Sequence, residues 1–229
     1  MKSCPLDGFF YNMVFMKKCF GFLMVLFVFL SLSGCIDIVE EIKINPNKSG
    51  SIRFSMDLGA LGSSFISIAK DYIDLSMLDE IKKQPFIAAK LIDKTKGITN
   101  IIPISDNDKG LYALSFDFDD DKALNEAFYK MFNSNKNIFL PKVYKISKRR
   151  IKVANLAPVI RYFANKYEKD IKDNKLFSLI SFKQIFVLPG AVKKVNNPKS
   201  TIDDYRVNLS CTIEELLNSD FNIGNKIRY

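Results

Sequence analysis

Residues 36–57 read Ile36-Asp37-Ile38-Val39-Glu40-Glu41-Ile42-Lys43-Ile44, then Asn45-Pro46-Asn47-Lys48-Ser49-Gly50, then Ser51-Ile52-Arg53-Phe54-Ser55-Met56-Asp57. The last seven alternate polar and apolar without a break. That is the pattern of a strand with Ile52, Phe54 and Met56 turned inward. The middle six are turn formers. In the first nine, Ile38, Ile42 and Ile44 share one face, and Glu40 interrupts it. The stretch therefore reads as a β-hairpin with one face on a core.

The chain repeats this grammar outward. Phe65, Ile68, Ala69, Tyr72 and Ile73 carry helical spacing, and Pro85 predicts a break between two helices. The second helix runs through Ala88, Leu91 and Ile92 and stops near Gly97. Residues 98–118 form a second hairpin about the turn Ser105–Gly110, with Tyr112, Leu114, Phe116 and Phe118 in alternation. Asp119 or Asp120 then caps a helix over Leu124, Ala127, Phe128 and Met131. Hairpins followed by helices imply an α+β fold: antiparallel sheet(s) built from hairpins, with helices packed on one face.

Residues 133–140 are polar and Asn-rich, and mark a boundary between subdomains 36–132 and 141–229. Beyond it, strands are expected within Val143–Val153, a helix over Leu156–Tyr167, and a strand from Leu179 to Leu188. Val192 and Val195 continue as an extended segment. Tyr205–Cys211 is a strand that leads into a capping box, Thr212 with Glu215. Phe221–Tyr229 supplies a last strand.

The N-terminal segment has another grammar. Met16-Lys17-Lys18 precedes twelve apolar or small residues, Cys19–Leu30, and then Ser31-Leu32-Ser33-Gly34-Cys35. A basic start, a short apolar run and a small-residue end make a secretory signal. Twelve residues span about 18 Å as a helix, less than a bilayer core of ~30 Å. Asp7 and Phe9-Phe10-Tyr11 lie upstream of the lysine pair, so translation is expected to start at Met16 or Met13. Leu32-Ser33-Gly34-Cys35 resembles the lipobox of bacterial lipoproteins. The resemblance implies cleavage between Gly34 and Cys35 and lipid on the Cys35 thiol. More than one acyl chain there would anchor the protein stably.

Residues 1–34, the signal, remove three lysines and one aspartate. The mature 35–229 then carries 31 Lys+Arg against 24 Asp+Glu. Its 195 residues can bury roughly 70% of their unfolded surface. Cys211 is the one thiol left unmodified, and its place on the apolar side of a strand makes it core filler.

Near the C-terminus stands Phe186-Val187-Leu188-Pro189-Gly190-Ala191-Val192-Lys193-Lys194-Val195-Asn196, followed by a strand entering a Glu-Glu-Leu-Leu helix. With the early hairpin, this resembles the LppM-like class of exported bacterial lipoproteins. The resemblance implies an envelope-associated α+β domain and carries no catalytic residue. Members often end in a transmembrane helix. Here no stretch after residue 35 approaches 18 uninterrupted apolar residues.

Chemistry is defined largely by exclusion. The chain has no His, which removes Ser-His-Asp triads, Cys-His pairs and imidazole metal ligands. Asp117, Asp119 and Asp121 have calcium-ligand spacing, but Lys122 and Phe128 occupy the positions of the loop's Gly and Glu. Phosphate-binding glycine loops and a G-x-S-x-G elbow are absent. No metal, cofactor or enzyme activity is expected.

The densest charge cluster is Lys142, Lys145, Lys148, Arg149, Arg150 and Lys152. In an exported protein, Lys145, Lys148, Arg149, Arg150 and Lys152 point to anionic lipid head groups or acidic glycans, not nucleic acid. A solvated strand face is the plainer reading of the same residues. Another envelope protein is a further expected partner. A carrier role is the alternative function, with Phe54, Phe116, Phe118 and Phe186 lining an apolar cavity. Ile36 follows Cys35 where inner-membrane retention would place Asp, so outer-membrane attachment is expected in a two-membrane cell.

Overall fold

The computed structural model describes residues 36–59, 75–132, 142–167, 178, 180–218 and 220–229. All belong to the compact unit Cys35–Tyr229, which is distinct from Met1–Gly34. The expected signal segment, Cys35 and the helix expected over Phe65–Ile73 lie outside the described residues.

The opening hairpin forms as its alternation requires. Strand β1 (Ile36–Ile44) pairs antiparallel with β2 (Gly50–Asp57), with Ile42 opposite Ile52. The turn is tied by Asn45 Nδ2 to Ser49 Oγ at 3.0 Å and by the Asn47 side chain to Ser49. Gly50 is needed where the chain turns back: a Cβ there would lie 2.1 Å from Lys43 O and 2.6 Å from Phe118 Cζ.

The second hairpin joins the same sheet. Strand β3 (Ile98–Asp106) pairs with β4 (Leu111–Phe118), and β4 pairs with β2. A bulge between Thr99 and Ile102 shifts the face of β3, so Ile101 meets the core and Ile102 faces solvent. On the far side, β7 (Ile180–Val187) runs parallel to β1, and β10 (Arg206–Thr212) and the short β9 (Thr201–Asp203) follow. The seven-stranded order is β3-β4-β2-β1-β7-β10-β9.

A four-stranded sheet completes the strands. Hairpin β5 (Tyr144–Ser147) and β6 (Arg150–Val153) is extended by β11 (Asn225–Arg228) and then by β8 (Lys194–Val195). The Leu188-Pro189-Gly190 bend carries the chain between the sheets: Leu188 N bonds Tyr205 O at 2.9 Å, and Lys193 N bonds Arg228 O at 2.8 Å.

The inner face of the large sheet carries Ile42, Ile52, Phe116, Phe186 and Val207 in register. All five are almost fully buried. Helices α1 (Leu75–Ile92) and α2 (Asp121–Met131), together with the small sheet, cover that face. Helix α3 (Ala157–Tyr167) and α4 (Ile213–Asn218) cover the β10 end with Leu209, Cys211, Leu216 and Ile223. The fold is therefore α+β, mostly antiparallel, with helices on one face. One apolar cluster draws on both sides of residues 133–140, uniting Ile42 and Leu124 with Ile151 and Ile227.

Two expectations change. Pro85 does not divide the helix, and α1 runs through it as eighteen residues. Proline forfeits one backbone hydrogen bond, at a cost of about 3 kcal/mol. Here Pro85 is buried, and Ile92, Ala88 and Ala89 on its side of the helix join the core. Leu91, expected on the buried face, is 40% exposed. The helix caps match their signals. Asp120 accepts from Ala123 N at 2.8 Å, and Thr212 and Glu215 bond each other reciprocally at 2.9 and 3.0 Å.

Candidate functional site

The small sheet has one dry face and one basic face. Tyr144, Ile146, Ile151, Val153, Asn225 and Ile227 point inward and are buried. Strand alternation then sends their neighbours outward. Lys145 is opposite Lys152, and Lys152 is opposite Lys226. One step along, Ser147 is opposite Arg150, Arg150 opposite Arg228, and Arg228 opposite Lys194. Six basic side chains thus form two rows across four strands. All six are exposed, as are Lys148 and Arg149 at the β5–β6 turn and Lys193 beside β8.

Among the described residues, no carboxylate lies within ion-pair distance of any of these groups; ion pairs form elsewhere, as in Lys82–Asp79, Lys109–Asp106, Lys130–Glu126 and Lys183–Asp37. Like charges directly opposite one another on a sheet are destabilising. Adjacent strands lie only ~4.8 Å apart, so each basic row opposes the pairing that builds it. Cross-strand stability alone would alternate the signs.

The sheet that bears this face is locked from beneath. Asn125 of α2 clasps the backbone of Tyr144: its Oδ1 accepts from Tyr144 N at 3.0 Å, and its Nδ2 donates to Tyr144 O at 2.7 Å. The Tyr144 hydroxyl donates to Glu40 Oε1 at 2.6 Å, and Gln184 Nε2 donates to Glu40 Oε2 at 3.0 Å. Glu40, Tyr144 and Gln184 are all buried. Burial pushes the Glu40 carboxyl above its ordinary range, against the pull of the two donors. Burial, and then the neighbouring Glu40, hold the Tyr144 phenol well above its ordinary value. Gln184 Oε1 is buried with no hydrogen-bond partner among the described residues.

The outer face of the large sheet differs in character. Glu41, Lys43, Arg53 and Asp117 stand among Ser51 and Ser115, and they line an open groove of about 480 Å³ beside the β3 bulge. Asn100, at φ 51°, donates to Asp117 there at 2.7 Å. Charge is mixed on this side and single-signed on the other.

Lys145, Lys148, Arg149, Arg150 and Lys152 all lie exposed on the β5–β6 hairpin and its turn. Lys194, Lys226 and Arg228 were missed, and only the pairing of β11 between β6 and β8 adds them. The alternation Asn225-Lys226-Ile227-Arg228 was the available signal. Gly34 and Cys35 lie outside the described residues. Phe116, Phe118 and Phe186 are packed in the core, and Phe54 tilts against Phe128 at 6.4 Å between ring centres. Cys211 is buried, and burial raises its thiol to about 11. Asp120 serves as a helix cap and Asp117 as the Asn100 acceptor, and among the described residues no three metal-ligating side chains gather.

Fold and face together define a two-layer α+β domain with one strongly basic side. No family model matches the chain, and no curated protein matches it. Among solved structures, the NMR structure of the folded domain of LppM from Mycobacterium tuberculosis is similar, with a TM-score of 0.39 and 11% identity, over 86% of this chain and 91% of that chain. At that identity and score the likeness does not show membership of a family.

Proposed function

We propose that this is a lipid-anchored envelope protein whose basic sheet face binds an anionic membrane surface. The observation that carries the reading is the double row Lys145-Lys152-Lys226 and Arg150-Arg228-Lys194, matched by no described carboxylate and set against its own sheet's stability. Each Lys or Arg near an anionic bilayer contributes about 1 kcal/mol, so six suffice for firm but salt-sensitive attachment. The lipobox-like Leu32-Ser33-Gly34-Cys35 supports the anchor. A chain held by lipid on Cys35 meets the bilayer at high effective concentration, where weak charge contacts become effective. The role is one of binding and needs no catalytic group.

Lipidation and head-group binding are tested separately. Cells fed a labelled lipid precursor should label the wild type and not Cys35→Ala. Residues 35–229 carrying Cys35→Ala should sediment with vesicles of anionic lipid and not with neutral ones. Equal behaviour on both vesicles removes the head-group reading.

A further inference from the structure

Helix α1 carries an apolar stripe that the core does not use. Phe86 is 53% exposed, Ile87 46% and Leu91 40%. At 3.6 residues per turn these three fall within about 140° of one another. Pro85 and Ile92, both buried, lie on the opposite side of the helix. The stripe therefore points away from the large sheet.

Lys83 and Lys90 project between Phe86 and Leu91 on the helical wheel, and both are exposed. Lys94 and Lys96 follow just beyond the helix end and are exposed as well. Asp79 is held by Lys82 at 3.1 Å, and Glu80 and Asp93 stand at the two ends of the stripe. Exposed aromatic and aliphatic side chains on a lysine-rich helix suit contact with a membrane interface, where Lys83 and Lys90 can lay their stems along the apolar surface and keep their charged ends among the head groups.

Direction joins this helix to the basic sheet. Both α1 and the small sheet pack on the same face of the large sheet, within one core cluster. Their outward surfaces consequently lie on the same side of the domain, opposite the mixed-charge groove.

We propose that Phe86, Ile87 and Leu91 insert into the interface of an anionic bilayer while the small sheet holds its head groups. The inference rests on the membrane reading above and adds a second contact to it. The lysines supply the charge complementarity, and the apolar side chains supply contact that salt does not screen.

The chain contains no Trp, which allows single-site reporters. Phe86→Trp and, as the control, Ile102→Trp on the outer face of the large sheet are placed separately in residues 35–229 with Cys35→Ala. Ile102 is 52% exposed. Anionic vesicles containing brominated lipid should shift the indole emission of the Phe86→Trp protein to the blue and quench it. The emission of the Ile102→Trp protein should stay unchanged. Sedimentation of both variants with vesicles but no change in the Phe86→Trp emission would overturn the insertion and leave the head-group reading standing. Failure of both to sediment would overturn both. Emission of the Phe86→Trp protein already blue without vesicles would mean that the chain covers this stripe itself, and would also overturn the insertion.

Discussion

The Tyr144 hydroxyl donates to Glu40 Oε1 at 2.6 Å and so joins the small sheet's first strand to a central strand of the large one. The pair sits among the apolar side chains that the two sheets pack together. It ties down the buried face of the small sheet, whose other face shows the lysines. Tyr144→Phe keeps the ring and removes the donor. A buried carboxyl oxygen left unpaired costs about 1–3 kcal/mol. Urea denaturation should show a loss in that range, with the fold retained.

Glu40 makes stability depend on pH in a definite direction. Burial raises its folded-state pKa above the ordinary 4.5, so the native protein keeps this proton to higher pH than the unfolded chain does. The corresponding stability is complete below the unfolded value and is lost as pH rises through the folded one. Glu40→Gln abolishes the titration. Its stability relative to wild type should therefore improve as pH rises from 4.5, by at most about 1.4 kcal/mol per pH unit. Parallel stability curves for the two proteins would refute the assignment.

Gly50 is confined by backbone and not by a flexible side chain alone. A methyl group there meets Lys43 O at 2.1 Å and Phe118 Cζ at 2.6 Å. Gly50→Ala should lower stability by about 1–3 kcal/mol, the usual range for overpacking, because the β1–β2 turn must open to admit it. Thermal melting checks this, and an unchanged midpoint would contradict the geometry.

Cys211 should be chemically silent in the native state. It is buried, and burial lifts its thiol to about 11, so little thiolate exists near neutral pH. In residues 35–229 with Cys35→Ala it is the sole thiol. A thiol reagent should modify it only in denaturant. Rapid native labelling would show that the strand end opens.

Short-range order was legible and long-range pairing was not. Both N-terminal hairpins, the Asp120 cap and the Thr212–Glu215 box follow from alternation and capping chemistry within a few residues. The parallel pairing of β1 with β7 joins Ile36 to Ile180, and no local pattern encodes a partner that distant. Glu40 stood out in the sequence as a break in an apolar face, but its meaning required Tyr144 and Gln184 from remote strands. The same limit hid half of the basic face. Lys145 to Lys152 are near neighbours in the chain, whereas Lys194, Lys226 and Arg228 reach the site through strands of two and four residues. Pro85 misled because a proline rule is local, while the packing of Ile92, Ala88 and Ala89 that holds α1 together is not.

Binding through one face differs from attraction by net charge, and a matched pair of variants separates the two. Lys152→Gln with Lys226→Gln removes two charges from the basic face. Lys43→Gln with Arg53→Gln removes two from the outer face of the large sheet. Each is made in residues 35–229 with Cys35→Ala, and binding to anionic vesicles is measured at one salt concentration. The first pair should weaken binding about thirtyfold, from roughly 2 kcal/mol lost, and the second should leave it near wild type. Equal weakening by both pairs, or none by the first, would contradict binding through the basic face.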